Sequence, residues 1–64
     1  MISYKPFFET VKNRKLNQYL LMRDHSISAS MLDRLKKDKY LSLETIDKIC
    51  VSLHCDIGEV IKIF

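Results

Sequence analysis

The sequence predicts an all-α domain built of five short helices. One Gly and one Pro occur in 64 residues, whereas an all-β chain of this length needs several tight turns made from such residues. Apolar residues recur at helical spacing in successive stretches. Side chains able to cap a helix, Asn17, Ser28, Ser42 and Asp56, stand just ahead of those stretches. The composition, 47% hydrophobic and 30% charged, is that of an ordered globular chain. Its length suits a single domain over residues 1–64, near the lower limit for self-sufficient folding.

The first helix is expected over roughly residues 6–14. Pro6 suits the first turn, where its missing N–H costs nothing. Tyr4, Phe7, Phe8 and Val11 share one side, and Lys12, Arg14 and Lys15 gather where the helix dipole favours cations. Asn17 then caps a short helix from Gln18 to about Asp24, anchored by Leu21. His25-Ser26-Ile27 reads as a turn. Ser28 caps the next helix, which runs to Lys37 with Leu32 and Leu35 inward and Met31 at their border. At 100° per residue its outward arc collects Ala29, Ser30, Asp33, Arg34 and Lys37. Ser42 caps a fourth helix whose core stripe is Leu43, Ile46, Ile49, Cys50 and Leu53. Asp56 and Glu59 have capping-box spacing and open a fifth helix, with Ile57, Val60, Ile61 and Phe64 as its apolar set.

Net charge is +3, and it is unevenly spread: residues 1–40 hold nine Lys/Arg against four Asp/Glu, residues 41–64 two against four. A basic face for a polyanion, with an acidic remainder, accounts for this skew. Locally biased solvated surface would do so as well. Cys50 and Cys55 lack Cys-x-x-Cys spacing, and of the two histidines His25 lies in the turn, so the four well-spaced ligands of a zinc site are not offered. Adjacent His54 and Cys55 do not form a nucleophile–base pair, since neighbouring side chains cannot usually meet in that geometry. No enzyme, metal or cofactor is therefore expected. Without an apolar leader or a membrane-length apolar run, a cytoplasmic protein with free thiols is expected.

The segments 18–24 and 28–37 carry the functional argument. Two helices joined by about three residues must cross steeply, as in a helix-turn-helix, which exposes the outer face of the second. A face that is small at its start and charged at its end suits the major groove of duplex DNA.

Gln18, Leu21, Ile27, Ser28, Leu32 and Leu35 resemble the helix-turn-helix of the phage-repressor-like Cro/CI-type (XRE) family. They match its Gln, core Leu, turn aliphatic, helix cap and two inward aliphatics. Residues 42–50 (Ser-Leu-Glu-Thr-Ile-Asp-Lys-Ile-Cys) and 53–61 (Leu-His-Cys-Asp-Ile-Gly-Glu-Val-Ile) resemble that family's fourth and fifth helices. The resemblance spans essentially the whole chain. It implies a lambda-repressor-like five-helix fold and a DNA-binding transcriptional regulator. Two positions depart from the family pattern. Met22 stands where a small residue is usual, and Ser26 where Gly is usual because the turn takes a positive φ.

The candidate DNA-binding residues are Gln18, Ser28, Ala29, Ser30, Asp33, Arg34, Lys36, Lys37 and Lys39. Arg34 is placed to read guanine by bidentate bonds to O6 and N7, though it also has Asp38 four residues on. Asp33 has the choice of a cytosine amine or Lys37. Gln18 is placed for a phosphate, or is an ordinary exposed helix residue. Lys36, Lys37 and Lys39 are either phosphate contacts or solvated charge. The reading is an operator-occupying, sequence-specific regulator of repressor type that binds double-stranded DNA as a homodimer. The alternative is a protein-interaction module working through Tyr19, Leu20, Val51 and Phe64.

Overall fold

A computed structural model describes all residues from Met1 to Phe64. Four α-helices are present: α1 (Lys5–Asn13), α2 (Gln18–Asp24), α3 (Ala29–Lys36) and α4 (Leu43–Leu53). A 3-10 helix (Ile57–Glu59) follows, and a two-stranded antiparallel ribbon joins β1 (Ile2–Ser3) to β2 (Lys62–Ile63). No helix is long and apolar enough to cross a membrane.

The capping residues act as their chemistry requires. Asn17, Ser28 and Ser42 each accept a backbone N–H from three residues ahead, from Leu20 at 2.9 Å, Met31 at 3.2 Å and Thr45 at 3.2 Å. The far ends are less usual. Lys15, Ser26, Asp38 and His54 stand just beyond the four helices with φ between 53° and 57°, and none of them is glycine. At α3 the Lys39 N–H reaches the Arg34 carbonyl at 3.0 Å and the Asp38 N–H reaches Leu35 at 3.3 Å. These two bonds define a Schellman turn. The same pair of bonds closes α1 around Lys15 and α4 around His54.

The fifth helix is not formed. After Asp56, the Glu59 N–H bonds Asp56 at 2.9 Å and the Val60 N–H bonds Ile57 at 3.0 Å, and then the chain extends. Asp56 and Glu59 do make the capping box. The residues beyond, Val60-Ile61-Lys62-Ile63-Phe64, are rich in β-branched side chains and pair with Ile2–Ser3 in register Ile2↔Ile63 and Ser3↔Lys62. The expected apolar set splits accordingly: Val60 is fully buried, while Ile57 and Phe64 are exposed. Leu43 also departs from its expected place, at 75% exposure. It lies about 90° from the centre of the Ile46–Ile49–Leu53 stripe at 100° per residue, beyond the reach of the core.

One core gathers residues from every part of the chain: Tyr4 and Phe7 from the N-terminal region, Leu21 and Ile27 from α2 and its turn, Leu32 and Leu35 from α3, Ile46, Ile49 and Leu53 from α4, and Val60. Helix α1 is tied to the end of the 3-10 helix by Phe7 N–H to Val60 O at 3.2 Å and by the Thr10 hydroxyl to Glu59 O at 2.8 Å.

Candidate nucleic-acid interface

The α2–turn–α3 unit is held from within and from behind. Ile27 is buried in the core, so the turn is anchored by its own apolar side chain. Its N–H bonds the Leu21 carbonyl at 3.1 Å across Ser26, whose φ is 55°. Behind the turn, His25 Nδ1 lies 2.8 Å from Ser52 Oγ on α4. Leu32 and Leu35 fix the inner side of α3, which leaves its outer side to solvent. Met22 is 44% exposed, so the larger side chain lies at the surface rather than in the helix crossing.

All nine candidate residues are exposed: Gln18 on α2, Ser28 at the cap, Ala29, Ser30, Asp33, Arg34 and Lys36 on α3, and Lys37 and Lys39 just after it. Ser28 is engaged as the cap, and its Oγ lies 3.1 Å from Ser30 Oγ. Gln18 Nε2 makes only a long contact of 3.9 Å to Met22 Sδ. Asp33 takes the local partner, with Lys37 Nζ at 3.1 Å. Arg34 forms no ion pair. The alternative partner, Asp38, is occupied elsewhere: its Oδ1 accepts the Tyr4 N–H at 2.9 Å. Lys36 and Lys39 have no carboxylate partner either.

Arg23 is a different case. It chelates Asp24 at 2.7 and 3.0 Å and lies 5.3 Å from the centre of the Tyr19 ring. The hydrogen bonds to Asp24 push the Arg23 pKa up and hold the Asp24 carboxyl below its usual range. Its charge is largely satisfied within the protein. Away from this face, Cys50 and Cys55 are half-buried free thiols, and burial raises the pKa of both. Tyr4 is fully buried, and burial likewise raises its phenol.

One contact beside this face escaped sequence reasoning. Tyr4 and Asp38 meet across 34 residues, and no spacing rule reports such a contact. The Lys37-Asp38-Lys39 order offered the one hint, since an acid inside a basic run needs a reason to be there.

A family model described as the Cro/C1-type HTH DNA-binding domain matches residues 9–64. Among solved structures, the chain is similar to one described as the crystal structure of transcriptional regulator VanUg, Form II, with a TM-score of 0.82 and 28% identity. The match covers 95% of this chain and 81% of that one. No curated protein sequence matches. With residues 9–64 matched and two short helices joined by a tight turn in place, the chain belongs to the Cro/C1-type helix-turn-helix DNA-binding family.

Proposed function

We propose that the protein is a sequence-specific regulator of transcription that occupies its operator as a repressor, with α3 in the major groove. The observation that carries this is Arg34: an exposed guanidinium on the outer face of a helix capped at both ends, without a carboxylate partner. A planar five-donor group so placed suits guanine O6 and N7. Ser28, Ala29 and Ser30 keep the start of α3 slim enough for close approach. Asp33, paired with Lys37, holds that lysine over the groove edge. Gln18, Lys36, Lys37 and Lys39 face phosphates on either side.

One such unit reads only a few base pairs, so a two-fold dimer on half-sites one helical turn apart completes the reading. Ile63 and Phe64, 77% and 64% exposed at the terminal ribbon, supply the apolar surface for it. Selection of bound duplexes from a random library tests both parts. A recovered palindromic motif, with two chains per site in sedimentation, supports them. A non-palindromic motif with one chain per site overturns the dimer, and no enrichment at all overturns sequence-specific reading. Partner capture that survives high salt through Tyr19, Leu20, Val51 and Phe64 would support the interaction-module alternative instead.

A further inference from the structure

Tyr4 is fully buried, yet both of its hydrogen-bond donors go to a two-residue segment directly after α3. Its N–H donates to Asp38 Oδ1 at 2.9 Å, and its hydroxyl donates to the Lys39 carbonyl at 2.7 Å. Helix α1 has no side-chain cap of its own and no acid in its first turn. Asp38 therefore brings a carboxylate to the start of α1, where the helix dipole favours negative charge. The basic run Lys36-Lys37-Asp38-Lys39 keeps its one acid turned to the protein's own use.

The consequence falls on Lys39. Its N–H is bonded to the Arg34 carbonyl at 3.0 Å and its C=O to the Tyr4 hydroxyl, so the backbone on both sides of its Cα is fixed. Its side chain is exposed and unpaired. A charged side chain on a pinned backbone loses little backbone freedom when a phosphate arrives.

We propose that Tyr4 is a positioning residue for phosphate binding. It acts through Lys39, by making the segment that follows the recognition helix rigid before DNA is met. This rests on the DNA-binding reading above. Tyr4 bears no charge and lies away from the outer face of α3, so its influence is blind to base sequence and to counterion release.

A double-mutant cycle on the full chain tests this, read by duplex binding well below each variant's melting temperature. Tyr4→Phe keeps the ring and removes only the hydroxyl. It is expected to weaken selected and random duplexes by the same factor, about three- to tenfold, with the slope of log K against log salt unchanged. Lys39→Ala is expected to lower that slope by about one unit. In the Lys39→Ala background, Tyr4→Phe is expected to have little further effect, because the charge it positions is gone. Equal losses in both backgrounds would show a general effect on the fold and overturn the proposal. So would no loss in the wild-type background. If Tyr4→Phe alone does not fold, the same cycle is run with Ser26→Gly added to each variant. A wild-type chain that binds no duplex at low salt refutes the DNA-binding reading itself and the proposal with it. That outcome is distinct from DNA binding that simply ignores Tyr4.

Discussion

The Ile27 amide donates to the Leu21 carbonyl at 3.1 Å, and between them Ser26 is held at a φ of 55°. This bond turns the chain from α2 into α3, and it requires a left-handed residue at a place where this sequence has a side chain. A Cβ in that region costs on the order of 1 kcal/mol. Ser26→Gly is therefore expected to raise stability by about 0.5–1 kcal/mol while leaving DNA affinity unchanged. Lys15→Gly and His54→Gly should each gain a similar amount, since both residues share the left-handed φ of Ser26. Thermal melts of the three single variants and their combination check this. Gains should add, because the sites are separate turns. A loss in any single variant would mean that its side chain contributes more than its backbone strain takes away.

Asp38 breaks this rule for a stated reason. Its φ is 53°, but its carboxylate also accepts the Tyr4 N–H. Asp38→Gly relieves strain and removes that acceptor, and a hydrogen bond to a charged group is worth about 1.5–3 kcal/mol. The net expectation is destabilisation by about 1 kcal/mol, opposite in sign to Ser26→Gly. Asp38→Asn keeps an acceptor oxygen and tolerates the left-handed region, so it should stay within about 1 kcal/mol of the parent. Urea melts of the two variants decide it, and stabilisation by Asp38→Gly would contradict the role given to the carboxylate.

Alkaline pH should weaken the fold through identifiable groups. Burial raises the pKa of Cys50, Cys55 and Tyr4 in the native state. In the unfolded chain thiols ionise near about pH 8.5 and the phenol near about 10. Above those values the unfolded chain has lost protons that the native chain keeps, so it is favoured and stability falls as pH rises. The contribution is fully present below about pH 8.5 and is lost progressively above it. Chemical denaturation from pH 7 to 10.5 should show this decline, and replacing both cysteines by alanine should delay its onset to the range of Tyr4. Stability that stays level to pH 10 would contradict the burial account.

How far the sequence could be read depended on whether a contact was local. The caps of α2, α3 and α4 and the limits of α2 were legible because a cap and its donor lie three residues apart. The positive φ at Ser26 was legible because Ser stands there in place of the family's usual Gly. The C-terminal segment was misread for a specific reason. Ile57, Val60, Ile61 and Phe64 have helical spacing, but pairing with Ile2–Ser3 at the other end of the chain competes with a helix, and no local pattern reveals that partner. The Arg34–Asp38 alternative failed for the same reason, because Asp38 is claimed by Tyr4 from 34 residues away. The outer face of α3 was read well, since inward Leu32 and Leu35 fix by rotation which residues point out.

The central claim is that Arg34 reads a base while Lys39 holds the backbone, and one comparison tests it most directly. Binding of Arg34→Ala is measured on the selected duplex and on a random duplex at several salt concentrations, beside Lys39→Ala. The account predicts that Arg34→Ala loses about 1–3 kcal/mol on the selected duplex, with relaxed preference at one base position and far less loss on the random one. Lys39→Ala should weaken both alike. Equal loss on both duplexes from Arg34→Ala would make Arg34 a phosphate contact and contradict the assignment of base reading to α3.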